Sequence, residues 1–179
     1  MVYASNDWTL VKWLETRLAE AFKVKILDKL QKFIGWELRY TENDVHVGQR
    51  KYINRILSEK NMTHVKPVDT PLPTKCDMPV IHPNETQLDP EQHNRYRSIV
   101  GSLSYLGICT RPDISFAVSV LARQLHAPCK RHLLLVKRVL RYVSVTSDKE
   151  IFYPRCQINS SPLTAYTDAD WAGCNDKRR

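Results

Sequence analysis

The sequence predicts an α+β fold. Three observations point to it. Apolar residues recur at helical spacing in several stretches, one alternating stretch over residues 33–47 reads as a β-hairpin, and a proline-rich stretch separates a mixed first half from a mainly helical second half. With 179 residues, 42% of them hydrophobic, the chain has the means to bury a core.

Taken in order, Leu10, Val11, Leu14, Leu18, Ala21 and Phe22 fall on one stripe, so residues 8–22 are predicted to form an amphipathic helix. Ser5, Asn6 or Asp7 can cap its free amides. Phe33, Gly35, Trp36, Leu38 and Tyr40 make a β-prone run; Thr41, Glu42, Asn43 and Asp44 break it, and Val45 and Val47 resume the alternation. Tyr52, Ile53, Ile56 and Leu57 return to helical spacing as far as Asn61. Residues 66–92 hold six prolines and are predicted to be an extended connector, because proline lacks an amide donor and biases its predecessor away from helix.

Beyond the connector, Ile99, Leu103, Tyr105 and Leu106 mark a helix over residues 95–109. A second helix, capped by Asp113, carries Ile114, Ala117, Val118, Leu121 and Leu125 on one stripe with Phe116 and Val120 behind it. A third, over residues 130–143, turns Leu133, Val136, Val139, Leu140 and Val143 one way and Lys130, Arg131, Lys137, Arg138 and Arg141 the other.

The net charge of +8 is unevenly spread, with +6 of it in residues 91–150 and −2 in residues 61–90. Concentrated charge suggests an anionic partner, and five cations on one helical face could neutralise several phosphates. A solvated outer face explains the same pattern, and composition does not decide between the two. No apolar run exceeds four residues, so no membrane span is expected, and no secretory leader is visible at the N-terminus.

The five cysteines stand at least 18 positions apart, as expected of reduced thiols rather than a disulfide framework. Cys129 with His126 and His132 lacks the second ligand pair of a structural zinc site, so the cluster is read as a solvated helix start. Asp168 and Asp170, after the apolar Leu163 and Ala165, could offer hard oxygen ligands to Mg²⁺. Two-metal phosphoryl chemistry needs three or four carboxylates, so this pair is an incomplete set, and Asp-x-Asp is also a common turn. No phosphate-cradling glycine cluster, zinc-protease helix or nucleophile elbow occurs.

Several ordered motifs carry a resemblance. They are Tyr96-Arg97-Ser98-Ile99-Val100-Gly101-Ser102-Leu103-Ser104-Tyr105-Leu106, Thr110-Arg111-Pro112-Asp113-Ile114, Leu140-Arg141-Tyr142 and Tyr166-Thr167-Asp168-Ala169-Asp170-Trp171-Ala172-Gly173. Phe33-Ile34-Gly35-Trp36-Glu37-Leu38 and Gln49-Arg50-Lys51-Tyr52-Ile53 join them from the first half. Over almost its whole length the chain resembles the polymerase region of copia-type retrotransposons.

The resemblance implies an RNA-directed DNA polymerase joined to ribonuclease H inside a larger polyprotein. On that basis residues 1–65 are expected to be the end of the reverse transcriptase palm with a primer-grip-like hairpin, and residues 66–92 a proline-rich connector. Residues 93–150 are expected to be a helical thumb or connection, and residues 151–179 a truncated start of a ribonuclease H-like domain. Phe33, Gly35 and Trp36 would lie near the primer end, and Lys130, Lys137, Arg138 and Arg141 would contact phosphates. Asp168 matches the first ribonuclease H carboxylate, a catalytic and metal-binding position.

The implied partners are an RNA template and DNA primer or their hybrid, together with upstream and downstream parts of the polyprotein, without a membrane. Mg²⁺ is the implied cofactor, though this fragment is not expected to bind it tightly. The implied setting is intracellular, in cytoplasmic particles and the nucleus. The family's Tyr-x-Asp-Asp turn, placed just upstream of Met1, does not occur in these 179 residues. Most ribonuclease H carboxylates are absent as well, so the chain alone is expected to lack polymerase and nuclease activity. A nucleic-acid-binding remnant, or a non-functional relic, are the rival readings. Ser144-Val145-Thr146 stands where the family has Lys-Gly-Thr.

Overall fold

A computed structural model describes residues 3, 5–27, 29–63, 65–73, 86–154, 165 and 167. It separates into two compact units, Met1–Gln31 and Lys32–Arg179.

The first unit is built on helix α1, Trp8–Ala21. Among the three candidate caps, Asp7 takes the role: its Oδ1 accepts from the Thr9 amide at 2.8 Å and the Thr9 hydroxyl at 2.6 Å. Those bonds hold the Asp7 carboxyl below its ordinary value. The helix has the predicted spacing, yet none of its residues is buried, and Trp8 and Trp13 are exposed.

Among the described residues, the second unit joins a four-stranded antiparallel sheet to four α-helices. Its elements are β1 Lys32–Phe33, β2 Trp36–Tyr40, β3 Asp44–Gly48, α2 Arg50–Glu59, α3 Pro90–Cys109, α4 Ser115–Ala122, α5 Lys130–Val145 and β4 Ile151–Pro154. The stretch expected as one strand from Phe33 to Tyr40 is two. Ile34 and Gly35, at φ 48° and 80°, turn the chain back so that Phe33 pairs with Trp36. Two positive φ values in a two-residue loop follow the hairpin twist of a type I′ turn, and Gly35 supplies one of them without steric cost. The second hairpin, β2 with β3, matches the expectation, with Leu38 opposite Val47.

β4 then pairs with β3, setting Ile151 opposite Val47, so the chain returns to the hairpin's sheet after the helices. Across these strands Glu150 accepts from Arg39 at 2.6 Å and lies 3.2 Å from His46 Nδ1.

The core forms around α3. Tyr96, Ile99, Val100, Leu103 and Leu106 recur at three- and four-residue steps, so one stripe meets α4 and α5, and α2 packs on α5. Ile53 and Ile56 from α2, Ala117 and Leu121 from α4, and Val136, Val139, Leu140 and Val143 from α5 fill the space around it. Tyr96 is fully buried and donates its hydroxyl to the Leu121 carbonyl at 2.7 Å; burial pushes its pKa well up.

α2 ends in a Schellman motif: Asn61, at φ 55°, lets the Met62 amide reach the Leu57 carbonyl at 2.7 Å. α3 starts at Pro90, inside the stretch expected to be extended. Proline suits a first helical turn, and Asp89 Oδ1 caps the Gln92 amide at 2.8 Å. Val68 and Leu72 of the connector, with Val65 just before it, pack against the core.

Two further expectations are corrected. Asp113 does not cap a helix: Pro112–Ile114 is a 3-10 turn, α4 starts after it, and the Asp113 carboxylate goes to Arg111 and Tyr142 instead. At the start of α5, Cys129 and His132 are buried, not solvated; the Cys129 amide donates to His132 Nδ1 at 3.1 Å, giving the helix a side-chain cap. No helix among the described residues is long and apolar enough to cross a membrane.

Candidate nucleic-acid interface

The β1–β2 turn and α2 face each other across a cleft of about 360 Å³. Phe33, Gly35 and Trp36, the three hairpin residues expected to act together, line it with Ile34 and Glu37. From the other side come Lys51, Tyr52 and Arg55, and Lys32 stands at the strand end. Lys51 and Arg55 are four residues apart and so share one face of α2, and Arg55 lies 5.0 Å from the centre of the Tyr52 ring.

Local chemistry shapes this cleft. Gln49 precedes α2 but does not cap it, because its side chain is buried and its Oε1 accepts from the Thr110 hydroxyl at 2.8 Å. Glu37 serves instead, its carboxylate accepting from the Lys51 amide at 2.7 Å at the positive end of the helix. That carboxylate is thereby engaged. The Trp36 indole Nε1 is buried and has no hydrogen-bond partner among the described residues.

The basic face of α5 is a separate feature, and none of its cations lines the cleft. Lys130 is exposed and Lys137 half-buried, and neither forms an ion pair among the described residues. Arg138 and Arg141 are held by the connector: Arg138 Nη2 donates to the Thr70 hydroxyl at 2.9 Å and Arg141 Nε to the Lys66 carbonyl at 2.6 Å.

Asp168 lies outside the described residues, and among the described residues no three His, Cys, Asp or Glu side chains come together as a metal site. Reverse transcriptases as a family generally use divalent metals. Sequence reasoning missed Lys32, Glu37, Lys51, Tyr52 and Arg55 as cleft residues. The four-residue step from Lys51 to Arg55 was the one signal that could have found part of the set.

A family described as "Reverse transcriptase (RNA-dependent DNA polymerase)" matches residues 1–74. That places this first part of the chain in the reverse transcriptase class. The "Retrovirus-related Pol polyprotein from transposon RE2" of Arabidopsis thaliana is 39% identical over 176 residues, covering 98% of this chain and 12% of the relative. The corresponding polyprotein from transposon TNT 1-94 of Nicotiana tabacum is 36% identical over 189 residues, covering 100% of this chain and 14% of the relative. An uncharacterized mitochondrial protein of Arabidopsis thaliana is 38% identical over 173 residues, 96% of this chain and 68% of that protein. No solved structure matches. The chain belongs to the copia-type retrotransposon Pol polyproteins and spans a small part of the length of its polyprotein relatives.

Proposed function

We propose that this chain is the part of a copia-type reverse transcriptase that holds an RNA template and DNA primer, or their hybrid, without carrying out polymerisation itself. The observation that carries the reading is the cleft between the β1–β2 turn and α2. It offers three aromatic rings, Phe33, Trp36 and Tyr52, and the cations Lys32, Lys51 and Arg55. Aromatic faces stack on bases of any sequence, and cations beside them neutralise the backbone. Phe33, Gly35 and Trp36 would meet the primer end, Gly35 by letting backbone approach closely.

Lys130 and Lys137 would meet phosphates further along the duplex. Arg138 and Arg141 would add to them with the guanidinium donors not spent on the connector. Asp168 would supply one carboxylate of a ribonuclease H site, the remaining ligands and the polymerase aspartates coming from other parts of the polyprotein. Such a protein would work in cytoplasmic particles and the nucleus, as its family resemblance implies.

Titrating a short RNA–DNA hybrid at several salt concentrations tests this. The expected result is affinity that falls steeply with salt, with no primer extension by the purified 179-residue chain. A folded sample that ignores the hybrid at low salt overturns the binding role and favours a relic. Primer extension overturns the inactivity.

A further inference from the structure

Tyr105 does not line the cleft, yet it touches both of its walls. Its hydroxyl donates to the Ile34 carbonyl in the β1–β2 turn, and its ring stands edge-on to Tyr52 of α2 with centroids 5.1 Å apart. We infer that Tyr105 of α3 is a positioning residue that sets the separation and register of the two cleft walls. The inference rests on the nucleic-acid reading of that cleft.

Three observations support it. Ile34 is β-branched and sits at φ 48°, a conformation such residues avoid, so the turn needs an external tie to persist. The phenolic hydroxyl supplies that tie from an element 71 residues away in sequence. Gly35 adjoins the same hydroxyl: a Cβ there would stand in contact with Tyr105 Oη at 3.4 Å, and would meet strain at φ 80°. Finally, the ring of Tyr105 rises from a helix whose neighbouring residues Leu103 and Leu106 are fully buried, so the post is anchored in the core. Burial raises the Tyr105 pKa, with Cys109 adding to it, which keeps the hydroxyl a donor at neutral pH.

The test uses the full chain labelled with 5-fluorotryptophan, the Trp36 ¹⁹F signal being assigned with Trp36→Phe. Tyr105→Phe keeps the ring and removes the tie. It is expected to shift the Trp36 signal and to weaken hybrid binding about 5-fold or more, with the dependence on salt unchanged because every cation that meets a phosphate is still in place. Ser102→Ala, which removes a hydroxyl from the same helix, is expected to change neither.

Gly35→Ala, straining the turn at φ 80°, is expected to reproduce both changes and stands in if Tyr105→Phe fails to fold. An unmoved Trp36 signal with affinity within twofold of the parent overturns the inference. If the parent chain does not bind the hybrid, the nucleic-acid reading has failed and the Trp36 signal alone judges Tyr105.

Discussion

Arg111 donates from Nε and Nη2 to the two carboxylate oxygens of Asp113, at 2.9 and 2.8 Å, in a bidentate pair two residues apart. The same guanidinium donates from Nη1 to the Thr146 carbonyl at 2.9 Å and from Nη2 to the Thr146 hydroxyl at 2.6 Å, where α5 ends. Tyr142 completes the set by donating its hydroxyl to Asp113 at 2.9 Å. The motif residues Arg111, Asp113 and Tyr142 thus fasten the turn before α4 to the end of α5. Thr146, the residue of Ser144-Val145-Thr146 that matches the family, supplies the acceptors.

Removing Arg111 leaves Asp113 half-buried without its main partner. Arg111→Ala is expected to lower unfolding free energy by about 3 kcal/mol, the low end for a broken buried pair because Asp113 is partly solvated. Urea denaturation measures it, and a decrease under about 1 kcal/mol would show the pair to be dispensable.

The same pair predicts an acid response. Burial works to raise the Asp113 pKa, but hydrogen bonds from Arg111 and Tyr142 and the charges of Arg111 and Lys149 outweigh it, so the carboxyl lies below its ordinary value of 3.8. A folded-state value below the unfolded one contributes stability that is fully present above the unfolded value and is lost as pH falls through the folded one. Melting temperature should therefore drop below about pH 4. Asp113→Asn should flatten that limb; an unchanged acid limb would assign it to other carboxylates.

On α5, the free lysines and the tied arginines should behave differently. Lys130→Ala with Lys137→Ala should leave stability nearly unchanged and reduce the log–log salt slope of hybrid binding by roughly 0.9 for each phosphate no longer neutralised. A slope that does not move would remove α5 from the interface.

Arg141→Ala should act first on the connector. It frees the Lys66 carbonyl, at a cost of about 1.5–3 kcal/mol for a charge-assisted bond, and should expose residues 65–73 to proteolysis. Limited digestion of both proteins under native conditions compares them, and equal cleavage rates would count against the tie.

In the cleft, Trp36→Ala should weaken hybrid binding by about 1–3 kcal/mol, the range for one unstacked base, without preference for its sequence. Fluorescence anisotropy with homopolymer and mixed hybrids separates this from base-specific readout.

Much of the architecture was legible because local amphipathicity repeats with the backbone. The stripes through Ile53, Ile56 and Leu57, through Ile99, Leu103 and Leu106, and through Val136, Val139 and Val143 each follow from a helix with one wet side. The β2–β3 hairpin was legible for the same reason at period two. The Ile34–Gly35 turn was not, because isoleucine gives no local signal for positive φ; a tie from Tyr105 accompanies it there. Asp113 looked like a cap since aspartate before an apolar run usually is one, and the nearby guanidinium outcompeted the helix amides.

What the sequence determined by itself was the family, the positions of the helices, and the concentration of positive charge between residues 91 and 150. Tertiary structure alone decided where those charges are spent, Arg141 on a carbonyl 75 residues away and Arg111 on Asp113 and Thr146, and it alone set Lys51 and Arg55 of the first half on the wall of a cleft. The reason is that periodicity reports which side of a segment avoids water, while a hydrogen bond or a cleft depends on which segments meet, and that is set by packing around α3.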